Sequence, residues 1–227
     1  MTNLVITIDG PAASGKSTVA RLLARKLGAS FLDTGAMYRA VTLATMQAGI
    51  DMSDEEKLLG VLETSEFRFA IEEGRMTASI NGIDVTEQIR GPKVTANARH
   101  IASAAKLREK LVQMQRQFAA GQGKIVTEGR DQGTVAFPDA DIKFYLTAEP
   151  AERARRRQAE LRAKGAGENL EKILMAIEER DKSDRSRAVG PLRPADDATV
   201  VDTTDLSIEE VAQKLLRHVK EKCLKEN

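Results

Sequence analysis

Leu4-Val5-Ile6-Thr7-Ile8-Asp9-Gly10-Pro11-Ala12-Ala13-Ser14-Gly15-Lys16-Ser17-Thr18 is the stretch on which the fold turns. Leu4 to Ile8 has the length and β-branched content of a buried strand. Val19, Leu22, Leu23 and Leu27 then recur at helical spacing. Between strand and helix, Gly10 to Ser17 fits G-x-x-x-x-G-K-[ST] in the context that motif requires. Its glycines let the backbone close around an anion, so that successive N–H groups converge on phosphate oxygens. The helix beyond Gly15 aims its positive end at the same anion. Lys16 is placed to bridge β and γ phosphates, and the Ser17 hydroxyl to join a Mg²⁺ shell, partly through water. Gly10, Pro11, Ala12, Ala13, Ser14, Gly15, Lys16, Ser17 and Thr18 are therefore expected to form a nucleoside triphosphate site. The use made of the triphosphate is left open.

Further apolar runs predict strands at Ser30-Phe31-Leu32, Lys124 to Thr127, Ile142 to Leu146 and Thr199-Val200-Val201. Helical periodicity lies between them, at about 35–49, 93–119, 149–164, 169–187 and 207–222. The last carries a capping box, Ser207 with Glu210, and an apolar stripe at Ile208, Val211, Leu215 and Val219. Strands alternating with helices predict crossover units and a mainly parallel sheet. Glu66 to Val85 breaks the rhythm. Phe67 to Ile71, a Glu72-Glu73-Gly74 turn, Met76 to Ile80 and Asn81-Gly82 predict a small antiparallel insertion, since Asn-Gly supplies the two positive φ angles of a tight hairpin.

The composition excludes several function classes. Thirty-five Lys plus Arg against 34 Asp plus Glu leave a net charge of +1 over 227 residues, giving no global pull toward nucleic acid or anionic membranes. Zero Trp and two Tyr argue against a base-stacking platform. One cysteine, Cys223, excludes an internal disulfide framework and points to a reducing, cytoplasmic setting. With only His100 and His218 beside it, a Cys/His zinc site is not expected, and both histidines read as structural. No apolar run approaches the ~20 residues of a membrane span, and no secretory signal is visible.

Two loops follow strands where ligands collect in a doubly wound sheet. Asp33-Thr34-Gly35-Ala36-Met37-Tyr38-Arg39 fits an ordinary helix cap and a second-substrate turn equally well. Glu128-Gly129-Arg130-Asp131-Gln132-Gly133-Thr134 concentrates charge at a strand end and favours a site. Residues 153–193 hold 12 Lys plus Arg against 7 acids, with Gly165 and Gly167 between two helices. That stretch suits a hinged basic arm over a phosphoryl group, or a solvated helical face. Without a usable His or Cys nucleophile, chemistry falls to positioning and charge neutralisation, and phosphoryl transfer needs little else. The motifs alone also fit a phosphate-loop kinase of another acceptor (UMP, AMP or a polyol acid). A third fit is a nucleotide-driven switch or nucleic-acid-binding ATPase. The β insertion and the Arg180–Asp184–Arg187 set weigh against the former, charge and aromatic content against the latter.

Taken in order, these segments resemble the bacterial cytidylate kinases along nearly the whole chain. The resemblance is carried by Ile6 to Pro11 with the phosphate loop, Asp33 to Arg39, Glu128 to Thr134, Phe137-Pro138-Asp139-Ala140, and Glu179-Arg180-Asp181 through Asp184, Arg185 and Arg187. It implies an α/β P-loop fold, a doubly wound five-stranded parallel sheet with a small antiparallel β insertion and a helical basic lid. The expected layout is one kinase domain over 1–227. Its core would be 1–60 with 94–227, its monophosphate-binding insertion 61–93 and its lid 153–168. The implied reaction is MgATP-dependent phosphorylation of CMP and dCMP. The composition adds the expectation of a cytoplasmic protein that engages neither nucleic acid nor membrane, and a monomer is expected since no large apolar interface is advertised.

By the same resemblance Arg39 and Arg130 grip the acceptor phosphate. Thr34, Arg108, Asp131 and Arg187 line the cytosine, and Arg180 with Asp184 meets the pentose. Tyr38 belongs to the same substrate turn. Lys16, Arg130, Arg153 and Arg157 are the expected catalytic set, the last two as lid contacts to the transferring phosphoryl. Two positions depart from the family pattern. Arg99 replaces a serine that helps to hold the sugar, which bears on the pentose contact and on dCMP. Gln132 replaces an aliphatic residue, for which a modest packing change without loss of activity is expected.

Overall fold

A computed structural model of the chain describes residues 4–72, 74–163 and 165–225. Glu73 and Lys164, parts of the expected hairpin turn and basic arm, lie outside the described residues. The five-stranded sheet runs in the order β2-β6-β1-β7-β8, where β1 is Leu4–Asp9, β2 Ser30–Asp33, β6 Lys124–Gly129, β7 Ile142–Thr147 and β8 Thr199–Asp202. A separate three-stranded sheet holds β3 (Phe67–Glu72), β4 (Arg75–Ile80) and β5 (Ile83–Asp84). The doubly wound parallel sheet and the small antiparallel sheet are those the sequence predicts.

The chain divides into two compact units. The first covers residues 4–29 together with 126–225. Its strand β1 buries Ile6, Thr7, Ile8 and Asp9 on both faces, as a central parallel strand must. Parallel register joins Ile6 to Ile142 and Asp9 to Tyr145. Helix α1 (Lys16–Leu27) buries Val19, Ala20, Leu23 and Ala24 and ends at Gly28, whose φ of +58° suits a left-handed C-cap. Helix α8 (Ile208–Lys225) starts at the predicted capping box: Ser207 N–H donates to Glu210 Oε2 at 2.8 Å, and Glu210 N–H to Ser207 Oγ at 3.3 Å. Its Val211, Leu215 and Val219 are buried. Helices α6 (Pro150–Ala163) and α7 (Leu170–Arg185) share a small apolar core of Ala154, Ile173 and Ile177.

The second unit covers residues 30–125. It holds α2 (Thr34–Gln47), α3 (Glu55–Thr64), the antiparallel sheet, α4 (Pro92–Ser103) and α5 (Ala105–Ala120). Asn81 (φ +51°) and Gly82 (φ +79°) form the predicted tight turn, setting Ile80 opposite Ile83. Met76, Ala78 and Ile80 alternate inward on β4, giving the insertion its own core. One expectation is corrected: 93–119 is two helices rather than one. Ala104 breaks them with an extended backbone (φ −76°, ψ 110°), and the Glu55 carboxylate, 51 residues away in sequence, accepts from Lys106 N–H in the first turn of α5. Helix α3, preceded by Asp54 as its cap, was not among the predicted elements. No helix among the described residues is long and apolar enough to cross a membrane.

Candidate active site

The phosphate loop lies where β1 runs into α1, and its backbone leaves no room for larger residues. A Cβ on Gly10 (φ +153°) would stand 2.1 Å from the Leu146 carbonyl oxygen of β7. Lys16 is buried, and its Nζ donates to the Pro11 carbonyl at 3.2 Å. Glu128, on β6, meets both functional groups of the motif: Ser17 Oγ donates to Oε1 at 2.9 Å, and Oε2 lies 3.9 Å from Lys16 Nζ. Burial pulls the Lys16 amine down to about 7, and Arg130 adds to this; Glu128 opposes it. Thr18 is exposed on the first turn of α1.

Behind the loop, Asp9 ties two strand ends together. Its carboxylate oxygens accept from the N–H groups of Gln132 and Gly133, each at 2.8 Å. Burial dominates and lifts its pKa to about 7, although both hydrogen bonds favour the charged form. Gly133 allows this approach, since a Cβ there would come within 2.9 Å of Thr7 Oγ1. Gln132 is buried, and its Oε1 accepts from Thr127 Oγ1 at 2.8 Å, so the polar replacement brings its own partner.

After β6 the chain delivers Arg130 to α7. Arg130 Nε donates to Asp184 Oδ2 at 2.8 Å, and Arg187 donates to Asp184 Oδ1. Burial would raise the Asp184 pKa; Arg130 and Arg187 together outweigh it and hold the carboxyl below its usual range. Asp131 is buried beside this cluster, and Arg180 is exposed on α7 while still contributing to the field at Lys16. The structure thus gathers Lys16, Ser17, Glu128, Arg130, Asp184 and Arg187 in the first unit. Arg157 pairs instead with Glu160 at the surface. Arg153 is buried: its Nη1 lies 2.7 Å from Asp181 Oδ2 and donates to the Ala12 carbonyl at 3.1 Å.

The second unit carries the remaining expected residues at the start of α2. Asp33 caps the helix by accepting from Ala36 N–H at 2.9 Å. The same carboxylate holds Arg39 at 3.2 Å and Arg90 at 3.6 Å. Thr34 is buried in the first turn. The buried Arg108 lies over the Tyr38 ring at 5.6 Å, and its Nη1 donates to the Ala102 carbonyl. Arg99 is exposed on α4.

Sequence reasoning passed over Glu128, Asp9, Asp181 and Arg90 as site members. An acid closing a strand next to the loop-bearing strand was the available signal for Glu128. Nothing local marks Asp181 or Arg90, because their partners Arg153 and Asp33 are distant in sequence. As a set, the loop with its buried amine and carboxylate and its half-buried hydroxyl can hold a triphosphate and its cation; the arginines can hold a second anion.

Comparison with known proteins agrees with this chemistry. The family model described as cytidylate kinase matches residues 6–221. A cytidylate kinase of Stutzerimonas stutzeri is 48% identical over 222 residues, covering 97% of this chain and 96% of that protein. One from Rhodopirellula baltica is 48% identical over 218 residues, covering 96% of this chain and 93% of its own. Among solved structures, TT1252 of Thermus thermophilus shares the fold with a TM-score of 0.50 at 19% identity, covering 98% of each chain. A phosphate-cradling loop backed by Lys16, Ser17 and Glu128, within a match spanning nearly the full sequence, places this chain in the cytidylate kinase family.

Proposed function

We infer that the protein transfers the γ-phosphoryl group of ATP to the phosphate of CMP or dCMP, giving ADP and the cytidine diphosphate. The carrying observation is the buried Lys16–Glu128 pair with Ser17 bonded to it at the loop of a member of this family. A phosphate oxygen of the acceptor bonds to the γ-phosphorus while the bond from that phosphorus to the β–γ bridging oxygen breaks. The acceptor attacks as an anion, so no general base is required. Lys16, held by the Pro11 carbonyl and Glu128, stabilises charge on the bridging and equatorial oxygens.

The donor set fits magnesium. The Ser17 hydroxyl spends its proton on Glu128, which leaves lone pairs for a hard cation beside a carboxylate. Ser17 would hold the ion, with Glu128 behind it and the triphosphate supplying further oxygens. When bound, magnesium neutralises charge on the β and γ phosphates. No cluster of three or more His, Cys, Asp or Glu able to hold a metal occurs among the described residues, which suits an ion that arrives with its nucleotide.

For the acceptor we propose Arg39 and Arg130 as the phosphate forks, a role suited to planar guanidinium. Asp131 is proposed to accept from the cytosine N4 amino group, with Arg108 and Arg187 donating to N3 and O2 and Thr34 alongside. Uracil reverses two of those groups, and a mispaired buried polar group costs about 1–3 kcal/mol, so UMP is the poorer acceptor. Arg180 and Asp184 are proposed for the pentose. Asp184 has lone pairs to spare, since a carboxylate offers roughly four and its arginines use two. The antiparallel sheet within 61–93 is proposed as the monophosphate-side subdomain, and 153–168 as the lid, with Arg157 as its phosphoryl contact. Cys223 as the single thiol supports a reducing compartment, and we propose a cytoplasmic monomer. ADP release at fixed MgATP with CMP, dCMP, UMP, AMP and GMP in turn tests the reading. CMP and dCMP should dominate; release without any acceptor, or preference for a purine, refutes it.

A further inference from the structure

Ala13, inside the phosphate loop, has φ +58°. L side chains enter this left-handed region at a cost, and such residues persist only where their surroundings hold them. Asn81, the other non-glycine residue of this kind among those described, sits in a hairpin turn where asparagine is at home. Ala13 has no such local excuse, so its support is tertiary.

Two contacts provide that support, both from the α6–α7 pair. The Ala13 methyl packs against the buried cluster of Ala154, Ile173 and Ile177. Arg153 Nη1 donates to the carbonyl of the preceding residue, Ala12, at 3.1 Å. Arg153 is itself immobilised: Nε donates to the Ala148 carbonyl at 3.0 Å, and Nη1 meets Asp181 Oδ2 at 2.7 Å. Both members of that ion pair are nearly fully buried, and Asp181 Oδ1 has no hydrogen-bond partner, so the one close polar contact of the carboxylate is Arg153. The peptide between Ala12 and Ala13 is planar and trans, so its C=O and N–H face opposite ways. Fixing the carbonyl on Arg153 therefore fixes where the Ala13 N–H is directed.

We propose that Arg153 is a positioning residue for the phosphate loop: with Asp181 behind it, it holds the Ala12–Ala13 peptide in the orientation that receives the triphosphate. This rests on the reading of the loop as the ATP site, but it gives Arg153 a role distinct from touching the transferring phosphoryl. The α6–α7 pair thereby preorganises the loop from its outer side.

The test is isothermal titration of MgATP and, separately, CMP into the wild type, Arg153→Met, Asp181→Asn and the double variant Arg153→Met/Ala13→Gly. Both single variants should weaken MgATP binding about tenfold, the population a left-handed alanine of ordinary cost forfeits once released. CMP affinity should stay within about twofold, because the loop's partner is the triphosphate. Glycine adopts φ +58° without strain, so the double variant should recover most of the lost MgATP affinity. A merely structural arginine, or one that binds the phosphoryl directly, yields no such recovery, and absence of recovery overturns the proposal. Unchanged MgATP affinity in both single variants, with the wild type binding, overturns it as well and leaves the functional reading intact. A wild type that binds no MgATP sinks both. Should Arg153→Met fail to fold, Asp181→Asn with and without Ala13→Gly carries the same comparison.

Discussion

Nucleotide binding should take up a proton at mildly alkaline pH, and Lys16 is the reason. Burial and the nearby Arg130 bring its amine down to about 7, with Glu128 opposing them from 3.9 Å. A triphosphate whose oxygens reach Nζ favours the charged amine, so the pKa rises in the complex. Below pH 7 the lysine is mostly charged before and after binding, and affinity is insensitive to pH. Above pH 7 each binding event must first protonate the amine. From the linkage relation, affinity falls about fivefold between pH 7 and 8 and about fiftyfold between pH 7 and 9, until the pKa of the complex is reached. Terminal phosphate ionisation, with a pKa of about 6, is largely complete over that range and does not imitate the effect. Calorimetry of MgATP binding at pH 8, in buffers of differing ionisation enthalpy, should report uptake of about 0.9 proton. Asp9, also near 7, is eliminated as the source if the uptake persists in Asp9→Asn. Zero uptake at pH 8, or constant affinity from pH 7 to 9, refutes the argument.

Asp184→Asn removes the carboxylate shared by Arg130 and Arg187 from a largely buried charge cluster and should cost roughly 3 kcal/mol of stability in urea unfolding. A loss under about 1 kcal/mol would show that the cluster relaxes freely. The pH dependence has a definite sign: because the Asp184 pKa is depressed, its stabilisation is complete above the ordinary carboxylate range and lost as pH falls through the depressed value. Gly10→Ala puts a Cβ 2.1 Å from the Leu146 carbonyl and should destabilise by about 1–3 kcal/mol while abolishing MgATP binding; thermal melts with and without nucleotide check both. Asp131→Ala should raise the KM for CMP by about tenfold and leave that for ATP within about twofold; equal losses would detach Asp131 from the base.

The elements legible in the sequence are those whose signals are local. The β1–loop–α1 unit announces itself by an apolar run, a glycine spacing and a helical stripe, and Asn81-Gly82 specifies its turn by backbone preference alone. The break at Ala104 has no such marker: neither glycine nor proline stands there, and α5 gains its first-turn acceptor from Glu55 in another helix. Site residues divide in the same way. Lys16 and Ser17 follow from the motif, whereas Glu128 acquires its place through a hydrogen bond spanning 111 residues. Arg153 is legible in the sequence only as a lid arginine expected to contact the phosphoryl, and its burial against Ala12 and Asp181 depends on tertiary packing that no periodicity encodes.

The sharing of Asp184 by Arg130 and Arg187 has a consequence for how the enzyme can change. The guanidinium of Arg130 is stilled while the chain folds, so in the acceptor role proposed for it the fork is already aimed and loses less freedom on binding. That readiness also yokes the positions together. Replacing Arg130 alone leaves Asp184 with Arg187, and replacing Asp184 alone takes the shared carboxylate from two guanidiniums at once, so a single exchange at this corner disturbs more than one contact.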